Sequence, residues 1–378
     1  MKNILFIHQS ADLYGSDKTL LLLLSKLDKS RFNPIVIIPL NGPLKEELEK
    51  ENIKVIIAPV LKLYRKMFTP KNILLFFSQI KKAIAILDGL NKEYKFDIIY
   101  SNTLAVLLGM IYAKKRKITH IWHVHEIIVH PKSIAFIFPK LLSKYADIII
   151  CNSRATRDNL VSREKNLINK TQIIHNGLKP KEEDYIKISK QDLGFENQDF
   201  IITLIGRINR LKGHKWLLKT FENNFKNNTN IKLLFVGSPV TGQEYYLEEI
   251  KQIITGQNLG KQVKIVGFTK DLRPILNLTD ILVVPSTEAE SFGLVALEAM
   301  LSKKPVIGSN HGGLTEIIVN NETGFLVEPN DETGLAISIQ RLLESEELRN
   351  KFGANGYQRA LNEFSEEKYV KGFEAIFD

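Results

Sequence analysis

Short apolar runs alternate with longer amphipathic stretches from one end of the chain to the other. Runs at 4–8, 35–38, 55–57, 97–100, 120–125, 147–151 and 172–175 have the length of strands. Between them, 44–51, 72–87, 104–113 and 134–145 place apolar residues three and four apart, as helices do. The stretch 20–27 continues a helix that opens near Ser16-Asp17. Strands without internal alternation, separated by helices, predict a parallel sheet covered on both faces. The pattern breaks at 179–199, a charged segment with Pro180 and no clear apolar period before Ile188. It then restarts, with strands at 201–205, 233–236, 263–266, 281–284, 306–307 and 325–327. Helical spacing lies at 215–225, 243–254, 292–301 and 333–344. The prediction is an α/β protein of two doubly wound, Rossmann-like domains, divided near residue 180. Ligands of such sheets bind at the carboxyl ends of the strands, so the natural active site is the cleft between the domains.

One strand-to-helix loop concentrates candidate chemistry. The strand 281–284 runs into Pro285–Ser291, and helical spacing resumes at Phe292, Val295, Ala296, Ala299 and Met300. The first amides of a helix point outward, unpaired and partly positive, and suit a diphosphate. Gly293, without a side chain, lets a ligand approach the backbone around Phe292 and Leu294. Glu290 precedes the helix and Glu298 lies about two turns in. Both accept hydrogen bonds, so a sugar, a diphosphate and a ribose in a row satisfy the whole loop. Plain helix capping by acidic residues is the alternative.

After the strand 201–205, Gly206-Arg207 and Lys212-Gly213 put a guanidinium and an ammonium where a diphosphate would lie. Gly15, just before the first helix, could face the same group, or form a simple turn. Strand 120–125 ends in His-Val-His-Glu, with His123 and His125 on one face and Glu126 on the other. His125 is nearest the carboxyl end, and a polar histidine facing the cleft fits better than a metal ligand. No Asp-X-Asp pair, a common diphosphate–metal holder, occurs in the chain. Arg207, Lys212 and helix amides are the expected substitutes.

Composition narrows the class. The 378 residues are 44% hydrophobic and 25% charged, as in soluble globular proteins. The single cysteine, Cys151, ends an apolar run and reads as a buried thiol in a reducing compartment. No signal peptide and no membrane span is evident, so a cytoplasmic protein is expected. The net charge of +10 is uneven: 29 Lys+Arg face 14 Asp+Glu in 1–180, against 23 and 28 in 181–378. The basic first half suits an anionic membrane surface, a phosphorylated acceptor or nucleic acid, unless lysine is generic surface filler. Residues 61–86 mix Lys62, Arg65, Lys66, Lys71, Lys81 and Lys82 with Tyr64, Phe68, Phe76 and Phe77. That is the pattern of an interfacial helix, or of a helix covering a sheet. The lysines of 114–117 follow a helix, where cations are favourable.

Several of these motifs, in order, resemble glycosyltransferase family 4, the retaining enzymes of GT-B fold. The similar segments are Glu290-Ser291-Phe292-Gly293 with Glu298-Ala299-Met300, Gly206-Arg207 with Lys212-Gly213, and His125-Glu126. Ile174-His175-Asn176-Gly177, Gly312-Gly313-Leu314-Thr315-Glu316 and Thr323-Gly324-Phe325-Leu326-Val327 extend the match over nearly the whole chain. Two departures stand out: the first loop has one glycine, Gly15, where the family often has a pair, and Thr315 replaces the usual proline.

The resemblance implies a donor-binding domain at 181–360 and an acceptor-side domain at 1–180. It also implies a terminal helix within 361–378 that crosses back to the first domain. Glu290 would contact donor-sugar hydroxyls and Glu298 the ribose. Arg207, Lys212 and the amides of 292–294 would hold the diphosphate. His125 would lie beside the donor sugar and help its transition state. The expected activity is transfer of a sugar from a nucleotide diphosphate sugar to a hydroxyl of a glycan or lipid-linked acceptor. Neither a cofactor nor a metal is expected, and nucleic acid is not an expected partner. The expected setting is envelope polysaccharide synthesis at the inner face of the membrane. A nucleotide-sugar epimerase or phosphorylase of the same fold, or a non-catalytic sugar-nucleotide binder, is the alternative. A nicotinamide-dependent reductase is disfavoured, because the first strand lacks Gly-X-Gly-X-X-Gly.

Overall fold

The computed structural model describes residues 1–62, 70–180 and 185–378. The chain divides into two compact units. One is Met1–Gly177 with Glu366–Asp378, and the other is Leu178–Ser365.

The first unit is built on seven strands: β1 (Lys2–His8), β2 (Phe32–Ile38), β3 (Lys54–Ile57), β4 (Ile98–Asn102), β5 (Thr119–Val124), β6 (Ile148–Cys151) and β7 (Thr171–Ile173). Their order is β3-β2-β1-β4-β5-β6-β7, and every neighbouring pair is parallel. The helices between them are α1 (Gly15–Lys26), α2 (Pro43–Lys50), α3 (Pro70–Tyr94), α4 (Leu108–Arg116), α5 (Lys132–Tyr145) and α6 (Arg154–Val161). The strands are apolar because both faces are covered, and two separate hydrophobic clusters lie on the two sides.

The second unit repeats the plan with β8 (Phe200–Ile205), β9 (Ile231–Val236), β10 (Val263–Val266), β11 (Ile281–Val284), β12 (Val306–Ser309) and β13 (Gly324–Val327). The order is β10-β9-β8-β11-β12-β13, again all parallel. Its helices are α7 (His214–Phe225), α8 (Tyr245–Gly256), α9 (Arg273–Leu278), α10 (Leu294–Leu301), α11 (Leu314–Ile317), α12 (Glu332–Glu344) and α13 (Glu346–Glu363).

The last helix, α14 (Glu366–Phe377), packs on the first unit. Phe373 and Phe377 lie with ring centroids 6.2 and 5.9 Å from Tyr100, and the Tyr369 hydroxyl donates to the Thr19 carbonyl.

In each sheet the connections reverse direction at one place, between β1 and β4 and between β8 and β11. The carboxyl ends of strands at such switch points form the natural binding crevice of an open α/β sheet.

Several elements differ from the periodicity. Helix α4 starts at Leu108, not near 104. The amide of Leu104 goes to the Glu126 carboxylate and that of Leu107 to the Leu61 carbonyl, while Thr103 has φ +93°. Helix α10 starts at Leu294, not Phe292, because Gly293 at φ +109° cannot continue a right-handed helix. The 18-residue α13 has no counterpart among the helices read from periodicity. Its Gly353 and Gly356, residues that weaken a helix, let it lie close on neighbours: a Cβ at Gly353 would come 2.1 Å from the Lys303 carbonyl oxygen.

The basic, aromatic stretch of 61–86 lies partly outside the described residues, which omit 63–69. Within α3, Ala83 and Leu87 are buried against the sheet, while Lys81, Lys82 and Phe77 are exposed. Among the described residues no helix is long and apolar enough to cross a membrane.

Candidate active site

In the second unit three loops meet at the carboxyl ends of β8, β11 and β12. Glycines set their spacing. Gly213, the N-cap of α7 at φ +71°, lies so close to Pro285 that a Cβ there would stand 1.7 Å from the Pro285 carbonyl oxygen. Gly312, at φ +64°, would put one 2.4 Å from the Glu290 carbonyl oxygen. Backbone bonds close the seams: the Thr287 amide donates to the Leu211 carbonyl at 2.8 Å, and the Gly313 amide to the Glu290 carbonyl at 2.7 Å.

Among these loops Lys212 and Glu290 form an ion pair, with Nζ 2.5 Å from Oε1. The Ser286 hydroxyl donates to the same oxygen at 2.5 Å. Burial alone would push the Glu290 carboxyl up. The charge and hydrogen bond of Lys212, with Ser286 and His311, outweigh it and hold the group below the usual carboxylate range. Glu290 is therefore ionised, and with Oε1 occupied, Oε2 is the atom left to accept from a ligand. His311 sits in the third loop and donates from Nε2 to the Ser286 carbonyl at 3.0 Å.

The other candidates of this unit are placed as follows. Arg207 is exposed on the β8–α7 loop. Glu298 is half-buried, the fifth residue of α10, so it lies about one turn into the helix and not two. Leu294 opens α10, and its amide and those after it face out of the helix start. Phe292 contributes no side chain to a ligand: it is buried, with its ring 5.8 Å from that of Phe364. Gly293 is required by the fold rather than by a ligand. A Cβ there would come 2.6 Å from Leu314 Cδ2, and its φ is left-handed.

In the first unit His125 follows β5, its ring half-buried. Its Nε2 lies 2.7 Å from Asn102 Oδ1, and its ring centroid 3.8 Å from that of His123. Burial, with a smaller contribution from His8, pushes its pKa down to about 3, so the imidazole is neutral. Deeper down, His123 Nδ1 is 2.6 Å from the Tyr100 hydroxyl. The Glu126 carboxylate is turned back onto the amides of Leu104 and His125, at 3.2 and 3.1 Å, and burial raises its pKa to about 7. Gly15 is the exposed first residue of α1. Cys151 is buried and its thiol is pushed up to about 12 by burial. Among the described residues no group of three or more His, Cys, Asp or Glu could hold a metal ion.

Sequence reading passed over Ser286, His311, Asn102 and the pair His8–Asp17. All but Asp17, which lies in the first turn of α1, end an apolar strand or stand in the loop after one. That signal is common to all such loops, and only the sheet order shows which of them adjoin.

Two family models cover most of the chain. Glycosyltransferase Family 4 matches residues 15–182, and Glycosyl transferases group 1 matches 186–359. The capsular polysaccharide biosynthesis glycosyltransferase CapM of Staphylococcus aureus is 28% identical over 315 residues, which is 80% of this chain and 81% of that one. The N-acetyl-alpha-D-glucosaminyl L-malate synthase of Bacillus anthracis is 31% identical over 188 residues, covering 50% of this chain and 48% of its own. Among solved structures, Anabaena Alr3699/HepE in complex with UDP and glucose aligns with a TM-score of 0.85 at 23% identity, covering 100% of this chain and 99% of that one. The two parallel-sheet domains are those of the GT-B fold, and the chain belongs to glycosyltransferase family 4.

Proposed function

We propose that this glycosyltransferase moves a sugar from a nucleotide diphosphate sugar to a hydroxyl of a glycan or lipid-linked acceptor, with retention of anomeric configuration and without a metal ion. The observation that carries the reading is the Glu290 carboxylate, kept ionised by Lys212 at the β8/β11 switch point. The HepE structure, which holds UDP and glucose, and the capsular polysaccharide enzyme CapM support the donor class and the envelope setting.

In this reading the diphosphate rests over the amides that open α10, with Lys212 and Arg207 balancing its charge. Glu290 accepts from a sugar hydroxyl and Glu298 from the ribose. The bond from the anomeric carbon to the leaving phosphate oxygen lengthens, giving an oxocarbenium-like centre. The acceptor hydroxyl attacks on that same face and its proton passes to the leaving phosphate, so the configuration is kept. The ammonium of Lys212 stabilises the charge gathering on the diphosphate. His125 is the residue the family resemblance sets beside the donor sugar. The basic 1–180 half suits an anionic membrane surface that carries the acceptor.

A thermal-shift screen of nucleotide sugars tests the donor, since a ligand at a hundred times its Kd adds about 2.7 kcal/mol. With the stabilising donor, Glu290→Ala is expected to lose turnover by ~100-fold or more. Chelator should leave the wild-type rate unchanged, and the product should keep the donor's anomeric configuration. Near-normal transfer by Glu290→Ala would count against the assignment, and isomerisation of donor alone would point to an epimerase.

A further inference from the structure

A chain of hydrogen bonds runs from the carboxyl end of β1 across β4 to His125, and it determines which nitrogen of that histidine carries the proton. Asp17 is its origin. The carboxylate is 2% exposed and receives three donors: His8 Nε2 at 2.5 Å, the Tyr14 amide at 2.9 Å and the Ser10 hydroxyl. Burial pushes this acid up. Hydrogen bonds from His8, Ser10 and Tyr14 oppose it, and Asp17 is held below its ordinary range and ionised.

An ionised carboxylate only accepts. His8 must therefore carry its proton on Nε2, and its Nδ1 takes an N–H of Asn102 at 2.9 Å. The second N–H of that amide points at the Ser16 carbonyl, 3.5 Å away. Turning the amide over would set its oxygen against that carbonyl oxygen. The orientation of Asn102 is thereby fixed from two sides, with Oδ1 toward His125. A lone carbonyl oxygen again only accepts, so His125 donates from Nε2 and its Nδ1 is left as an acceptor. His8 and Asn102 are as buried as Asp17, at 0% and 1% exposure, which protects the chain from competing water. The β1–β4 register pairs His8 with Asn102, and the switch-point order of the sheet sets β5 beside them.

We infer that Asp17, His8 and Asn102 are positioning residues that lock His125 in the Nε2–H tautomer, with Nδ1 as a hydrogen-bond acceptor for a substrate. The inference rests on the glycosyl-transfer reading for its kinetic part, and on geometry alone for the tautomer.

The test uses full-length protein labelled with 15N-histidine and long-range proton–nitrogen spectra, the His125 signals being identified by their loss in His125→Gln. Wild type should show a protonated Nε2 and an unprotonated Nδ1. Asn102→Leu, which removes the acceptor, should give a mixture of tautomers. Asn102→Asp, which still accepts from Nε2, should restore the wild-type pattern. With the nucleotide sugar that stabilises wild type in the thermal screen, Asn102→Leu should slow single-turnover transfer by ~10- to 100-fold while donor Kd stays within about twofold. Asn102→Asp should recover much of that loss.

An Nδ1–H tautomer in wild type, or an unchanged pattern in Asn102→Leu, overturns the relay and leaves the transfer reading standing. Scrambled tautomers with an unchanged transfer rate overturn the positioning role. Absence of transfer by wild type with every nucleotide sugar, with the tautomer locked as described, removes the transfer reading instead.

Discussion

Glu290 is an acid that burial alone would neutralise, and Lys212 keeps it charged. The folded group titrates below its ordinary range, so its contribution is complete above the unfolded value near 4.5 and is lost as pH falls below it. In Lys212→Met the burial remains and its main opponent is gone. The Glu290 pKa should then rise above 4.5, and the sign reverses: the second unit becomes relatively more stable as pH falls from 7.5 toward 5. The side chains are 25% and 15% exposed, so the loss at pH 7.5 should be modest, about 1–3 kcal/mol. Chemical unfolding of both proteins at the two pH values checks this, and parallel pH profiles would refute it. At this scale Lys212 and Glu290 stood out in the sequence as charged residues in glycine-flanked loops. Their direct pairing did not, since 78 positions separate them.

Loops and helices are spaced here by residues that are missing a side chain. Gly213 and Gly293 both lie at positive φ, and both have neighbours where a Cβ would stand: Pro285 backbone and the Leu314 side chain. Gly242 is also at positive φ, +80°, but nothing lies within 4 Å of its Cβ position. Backbone strain alone should therefore cost Gly242→Ala about 1 kcal/mol. Gly213→Ala adds a clash with backbone that cannot swing aside, and should cost at least about 2–3 kcal/mol. It should also separate the loop of Lys212 from that of Glu290, weakening nucleotide-sugar binding where Gly242→Ala leaves it intact. Equal thermal midpoints for the two variants would contradict this. Sequence reading found the strands well because a buried parallel strand is an apolar run whatever surrounds it. Helix starts were less legible. The starts of α4 and α10 depend on amides and φ angles claimed by distant partners, Glu126 and Leu61 in one case and Leu314 in the other.

Over the described residues, four neutral histidines, His120, His123 and His214 buried and His125 half-buried, tie stability to pH. Burial drives His120 down to about 4 and His125 and His214 to about 3, from an ordinary 6.5. Each takes up a proton only on unfolding, so stability is full above pH 6.5 and falls as pH drops below it. The slope is at most about 1.4 kcal/mol per pH unit for each. Glu126, raised to about 7, opposes this in the first unit, because there the folded state holds the proton. Among the described residues of the second unit no acid is raised in this way. His214 belongs to it, and neither of its ring nitrogens has a partner among the described residues. His214→Phe, beside Phe235, should raise the second unit's unfolding midpoint, and more at pH 5 than at pH 8. An equal shift at both would rule out the titration as the cause. A chain ending at Ser365 should lose the first unit's cooperative unfolding and bind hydrophobic dye. Tyr369, Phe373 and Phe377 of α14 belong to that unit's core, and large core aromatics cost about 3–5 kcal/mol each when removed. Unaltered unfolding of the truncated chain would show α14 to be dispensable.

The order of apolar and polar positions was enough by itself to specify two parallel α/β sheets and the loops that carry charge, because burial and periodicity are local consequences of side-chain type. Tertiary structure alone decided that Lys212 meets Glu290, that Phe292 turns inward, and that Asp17 reaches His125 through His8 and Asn102. Those outcomes depend on strand order and on a few close backbone approaches, which join residues far apart in the chain and leave no period in the sequence to read.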